Sequence, residues 1–177
     1  DLKVLEKGGR NLIKDSNNFT NYTKYLGATA TFTTGVSVTE WGATDATRIQ
    51  TSGGTSTVKL YKIIVAPSVN GQQYTVSIWL KNIGNYPVVV NSRLNKMTIN
   101  AGEQKRVVLV GTGDGTNNVQ INFETTSDNR SNPLDFIVWR AKAELGNRAT
   151  DWTPAPEDIN AHPFVAELAE TVYRSKQ

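Results

Sequence analysis

In Asn70-Gly71-Gln72-Gln73-Tyr74-Thr75-Val76-Ser77-Ile78-Trp79-Leu80-Lys81-Asn82 an Asn-Gly turn signal is followed by strict alternation. Tyr74, Val76, Ile78 and Leu80 fall on one side; Thr75, Ser77, Trp79 and Lys81 fall on the other. Successive side chains of a strand point to opposite faces, so this pattern predicts a strand with one face in a core. The tryptophan lies on the polar side. It either faces a second hydrophobic layer, a partner or a cleft, or is covered by a loop or by Trp139, and alternation does not choose between these. In a polar cleft an indole can stack on the C–H face of a pyranose while nearby amides and hydroxyls bond the ring hydroxyls.

The same period recurs downstream. From Asn118 to Glu124, Val119, Ile121 and Phe123 alternate with Asn118, Gln120, Asn122 and Glu124. An ordinary solvated face accounts for the polar set if this strand stands alone. Placed beside the Trp79 strand, Gln120, Asn122 and Glu124 become a polar floor for a sugar, and that neighbourhood is the expectation. Leu134 to Ala143 also alternates, but either Phe136, Val138 and Arg140 or Asp135, Ile137, Trp139 and Ala141 could point inward. Upstream, Thr57 to Val65 sets Val58, Leu60 and Ile64 against Lys59, Tyr61 and Ile63, and Ala46 to Gln50 carries Arg48 and Gln50 on one side. Two short strands joined at Thr34-Gly35 are expected before Trp41, which sits in a loop as either a ligand residue or a plug of the core.

Composition narrows the class. The 177 residues suffice for one sizeable core, and the net charge of +3 comes from scattered lysines and arginines with no run beyond Lys105-Arg106. That distribution gives no basis for nucleic-acid binding. No apolar run is long enough to span a membrane as a helix. The absence of cysteine removes disulfides and thiolate metal sites. The glycines of Gly111-Thr112-Gly113-Asp114-Gly115 lack the following Lys-Ser/Thr and helix of a phosphate loop, so a hairpin loop is expected. Both ends read as cut from something larger. The expected organisation is a connection over 1–10, one domain over 11–158 and a helical tail or linker over 159–177, where Val165, Leu168, Ala169 and Val172 keep helical spacing.

About ten short strands separated by turn signals, with no internal helix, predict an all-β fold: an antiparallel jelly-roll β-sandwich. Asn11-Leu12-Ile13, the Tyr74 to Lys81 strand, Ala101-Gly102-Glu103-Gln104-Lys105-Arg106 and above all Ala141 to Asp158, with Glu144-Leu145-Gly146-Asn147 and Asp151-Trp152-Thr153-Pro154, carry a resemblance. They resemble carbohydrate-binding-module-like domains of phage tail-tip and baseplate proteins, such as accessory baseplate proteins and distal tail proteins of phages infecting lactic acid and other Gram-positive bacteria. The resemblance covers roughly 11–158. It implies a jelly roll without catalysis, located in the virion at the tail tip or baseplate, that adheres to host cell-surface polysaccharide and contacts other tail or baseplate proteins. Trp79 alone is carried over as a ligand residue; Gln120, Asn122, Glu124, Trp41, Arg48 and Gln50 join it from alternation. No organic cofactor is expected. Such modules often hold a structural calcium, for which Asp15, Asn17 and Asp135 offer hard oxygen ligands.

Two other functions stand beside adhesion. A structural or protein-interaction module of a baseplate would turn its exposed aromatics to another protein. A glycan hydrolase would need two carboxyl groups a few ångströms apart, for which Glu124 with Asp135 is the only pair that the strand pattern offers. The single histidine, His162, lies beside Pro163 in the tail, away from any triad or histidine metal site.

Overall fold

Chains that alternate with period two bury one face per strand, and two such sheets satisfy each other by stacking. In the computed structural model, which describes residues 9–160, this produces ten strands in two five-stranded antiparallel sheets. The strands are β1 (Thr23–Lys24), β2 (Ala30–Val38), β3 (Ala43–Thr51), β4 (Val58–Val65) and β5 (Gln73–Asn82), then β6 (Val88–Asn91), β7 (Lys96–Ile99), β8 (Gln104–Thr112), β9 (Val119–Glu124) and β10 (Leu134–Leu145). One short helix, α1 (Pro156–Asn160), follows. The first sheet runs β1-β4-β9-β6-β7 and the second β2-β3-β10-β5-β8. The expected all-β sandwich is present. The helical spacing at 165–172 and residues 1–8 of the connection lie outside the described residues.

The core sits between β9 and β10, the middle strands of their sheets. Phe123 of β9 and Phe136 of β10 meet with ring centroids 4.9 Å apart, and Ile121, Val119, Ile78, Leu80, Val107 and Leu109 close around them, all buried. Asn82, at the end of β5, ties two loops to this block by donating to the carbonyls of Tyr86 and Ile99.

β10 resolves the ambiguity of its sequence by changing phase part-way. Phe136 and Val138 point inward; Arg140 then adopts a left-handed conformation (φ 50°), the register with β5 shifts between Trp139 and Lys142, and Ala141 and Ala143 become the buried pair. A residue inserted in this way reverses the alternation beyond it. The bulge sends Lys142 and Glu144 to the outer side, where the exit segment after Gly146 covers them. The Lys142 ammonium donates to Thr150 Oγ1 at 2.8 Å and to the Asp151 carbonyl at 2.7 Å, and Glu144 accepts from the Thr150 hydroxyl at 2.7 Å. Trp152 donates its indole N–H to the Ala141 carbonyl at 3.1 Å beneath the Arg140 guanidinium, so it latches the exit segment.

A further difference from expectation concerns 30–38. The two short strands are one, because the irregularity at Thr34-Gly35, with Gly35 at φ 70°, bends β2 without ending its pairing to β3.

Removing the ring that joins the two sheets should be costly. Phe123→Ala is expected to lose about 3–5 kcal/mol of unfolding free energy with an unchanged denaturant slope, measured by equilibrium denaturation.

Candidate functional site

The sandwich has two outer faces, and the structure divides the predicted site residues between them. Gln120, Asn122 and Glu124 project from β9 on the outer face of the first sheet, whereas Trp79 on β5, Arg48 and Gln50 on β3 and Trp41 belong with the second. The expected adjacency of the Trp79 strand and the 118–124 strand is therefore corrected. Both are interior strands, each in its own sheet, and the hydrophobic sides that identified them face the core between the sheets.

On the first sheet, antiparallel register builds a row across all five strands: Thr23, Tyr61, Asn122, Asn91 and Lys96 stand side by side. At about 4.8 Å between strands this row spans roughly 19 Å. Asn122 is at its centre and buried; its amide donates to Glu124 Oε2 at 3.2 Å, and the Asn91 amide approaches both Glu124 oxygens at 3.3 Å. Asn122 Oδ1 is sealed from solvent and accepts no hydrogen bond from any described protein group. Such orphans are rare in folded proteins. At one end of the row Tyr25 stands edge-on to Tyr61 with centroids 6.2 Å apart, and exposed Ile63 lies two residues along β4 beside Gln120. The arrangement combines an aromatic wall, amide donors and acceptors, and one carboxylate. Tyr25, Tyr61 and Asn91 were not among the residues expected from the sequence. The signal for Tyr61 was present in its place beside Lys59 and Ile63, opposite Val58, Leu60 and Ile64, but only strand order could place it next to Asn122.

On the second sheet Trp79 is covered rather than set in a polar cleft. Trp41, on a 3-10 turn over Thr39–Trp41, and Trp139 pack against it with centroids 5.8 and 6.4 Å away, above a small cluster of Val38, Ala43, Ala46 and Ile137. Arg48 is engaged by Asp135 through two bonds of 2.9 and 2.7 Å. Gln50 is exposed opposite Asp135. Because Asp135 belongs to this sheet and Glu124 to the other, the pair of carboxyl groups considered for hydrolysis does not form.

The predicted calcium ligands are also separated. Asp135 pairs with Arg48, whereas Asn17 donates to Asp45 at 2.9 Å, and Asp45 lies five residues along β3 from Asp135's register partner Gln50, about 16 Å at 3.3 Å per residue. Asp15 accepts from the Asn18 and Asn21 amides, and its backbone N–H donates to Asp158. A cation of the chain's own already sits here: Lys62 donates to the Lys14 carbonyl at 2.9 Å. Burial lowers the Lys62 pKa, and the charges of Asp15 and Asp158 oppose that shift. Among the described residues no cluster of three or more metal-ligating side chains is placed to hold an ion.

With the geometry in place, the chain can be compared with solved structures. Its fold is similar to that of carbohydrate-binding modules. The C-terminal family 22 carbohydrate-binding module of Clostridium thermocellum Xyn10B matches at a TM-score of 0.54 with 10% identity, over 81% of this chain and 94% of that one. The CBM22-2 xylan-binding domain of Paenibacillus barcinonensis Xyn10C matches at 0.51 with 13% identity, over 77% of this chain and 98% of its own. The enzymatically active domain of tailspike protein 4 of bacteriophage CBA120 matches at 0.51 with 13% identity, over 77% of this chain but 21% of that one. No family model and no curated protein matches the sequence. The jelly-roll sandwich is thus common to chains with very different sequences.

Asp45 supplies a pH-dependent reporter of the tryptophan side. Burial pushes its carboxyl pKa up, but bonds from Asn17 and the Trp139 indole, its own backbone N–H and the Arg140 charge outweigh that and hold it below the usual aspartate value. A carboxylate lowered in the folded state stabilises the fold above its unfolded pKa of about 3.9, and this contribution is lost as pH falls through the folded value. Acidification from about pH 5 towards pH 2 should therefore lower Tm and shift the Trp139 indole N–H resonance, and Asp45→Asn should remove the indole response while only reducing the loss of Tm, since Asp114 and other lowered carboxylates also titrate there.

Proposed function

We propose that this chain is a non-catalytic carbohydrate-binding module, with the open face of the first sheet as its polysaccharide site. The observation that carries this reading is the row in which Tyr61, Asn122 and Asn91 stand in register beside the Glu124 carboxylate, with Tyr25 edge-on to Tyr61. A sugar hydroxyl can donate to the Glu124 carboxylate and accept from the Asn91 amide, while the Tyr61 and Tyr25 rings contact C–H faces. Gln120 extends the polar floor. An open face of this kind is wet and binds each sugar unit weakly, so strength would come from many copies.

The wider setting is part of the same proposal. The module, over 11–158, would belong to a phage tail tip or baseplate, joined to other tail proteins through 1–10 and 159–177, and would adhere to the cell-wall polysaccharide of a Gram-positive host. The motif from Ala141 to Asp158 supports this, as does the likeness in fold to a domain of a phage tailspike.

A fluorescent fusion of the domain is expected to label intact cells of some Gram-positive strains and to bind their purified wall polysaccharide. Tyr61→Ala and Glu124→Gln should each weaken that binding by about tenfold or more, a loss of roughly 1.4 kcal/mol. Unchanged binding by both variants would remove the open face from the site. Co-purification with a tail component and no wall binding would favour an assembly role instead.

A further inference from the structure

The four outermost strands of the two sheets are not equally protected. An edge strand offers a row of unpaired N–H and C=O groups, and natural chains blunt it with short length, charge, a covering segment or a bulge. β1 has two residues, one of them Lys24, and β7 has four and begins at Lys96. β8 carries Lys105 and Arg106, and the 92–95 segment lies along it: the Asn95 amide donates to the Val110 carbonyl at 3.1 Å, and Leu94 packs against Gly111. β2 differs. Its nine residues, Ala30 to Val38, include no charge and no proline, and among the described residues no hydrogen bond reaches them from outside β3.

The bulge at Thr34-Gly35 confines what this edge can pair with. Residues 30–33 keep an uninterrupted register with β3, from Ala30 opposite Thr51 to Thr33 opposite Arg48. Beyond the bulge the phase reverses, so Ala30 and Phe32 pack on the core between the sheets whereas Val36 and Val38 pack into the tryptophan cluster. The regular arm is self-complementary. Laid antiparallel on a second copy about a two-fold axis through Phe32, it sets Phe32 against Phe32 on the core side and Thr31 against Thr33 twice on the exposed side. Aromatic and Thr–Thr cross-strand pairs stabilise a sheet, and no like charges meet. Phe32 is half-buried in the single chain, and a facing ring would cover it.

We propose that β2 is a homodimerisation edge: two copies of this chain pair through it about a two-fold axis at Phe32, joining their second sheets, five strands each, into one. The register that the arm makes with itself favours a second copy over a foreign strand. Because the other three edges are guarded, pairing closes at two copies rather than running on into a fibre. An arm this short makes a weak dimer, with a dissociation constant on the order of 10–100 µM, populated where copies are held close together. A two-fold axis normal to the second sheet leaves both first sheets on the same side, so the two Asn122 rows face the same way and one surface can engage both. That consequence rests on the proposed polysaccharide site; the dimer does not.

Sedimentation equilibrium of the full chain from about 5 to about 500 µM reads its mass without any ligand, and the mass is expected to rise from monomer to dimer over this range and no further. In the proposed register Thr31→Glu/Thr33→Glu brings carboxylates together across the axis and should stay monomeric. Thr31→Lys/Thr33→Glu instead makes two opposite-charge pairs and should dimerise at least as tightly as the unaltered chain. The two variants share the change at 33, beside Arg48, and both positions are exposed, so matched Tm values separate loss of pairing from loss of fold. An unaltered chain that stays monomeric at the highest concentration overturns the proposal, as does growth past the dimer. A dimer that persists in Thr31→Glu/Thr33→Glu, or is lost equally in both variants, overturns it too. Protection of amides 31–33 by a tail component, with no dimer, would give the edge to a foreign strand. Failure of wall binding while Thr31→Lys/Thr33→Glu still dimerises supports the dimer and overturns only the open-face site.

Discussion

The contact between Phe123 and Phe136 holds the two central strands back to back, and the outward chemistry of both faces follows from it. With these rings 4.9 Å apart in the core, alternation obliges Asn122 and Glu124 to leave on one side and Asp135, Ile137 and Trp139 on the other. A shift of either strand by one residue would turn its polar set into the core. The open face and the tryptophan cluster are therefore two results of a single packing choice.

What each face then does depends on the segments laid over it. On the second sheet the bulge at Arg140 reverses the phase of β10, and the exit segment closes over Lys142 and Glu144, so charged side chains that would otherwise be solvated become buried and bonded. Burial depresses the Lys142 pKa, an effect that the nearby Glu144 carboxylate opposes. The 3-10 turn that carries Trp41 covers the other end. On the first sheet the row from Thr23 to Lys96 has its middle amide buried, with an acceptor that no donor among the described residues reaches.

The sequence revealed the strands and their inward faces because period two is a local property. Tyr74 to Lys81 and Val119 to Glu124 form as their alternation predicts. Strand order is not local. Two equally regular strands look alike whether they pair or face each other across a core, which is why Trp79 and Asn122 were expected together and lie in different sheets. The bulge was hidden for a related reason: nothing in Trp139-Arg140-Ala141 marks a left-handed arginine, and the ambiguity of that segment came from a real change of phase. Calcium ligands chosen by residue type alone were scattered by the same topology, and Lys62 supplies the positive charge near Asp15 and Asp158.

Near its two ends the described chain is fastened to itself. Arg10 pairs with Glu157, the Asp15 backbone is held by Asp158, and Asn11 is bonded to the carbonyls of Ala141 and Thr153. Entry and exit thus share one corner of the sandwich. A fold closed in this manner can be set into a surface loop of a host protein without prying that loop apart, and a pull on the flanking chain would load this corner first while the strands behind it stayed paired.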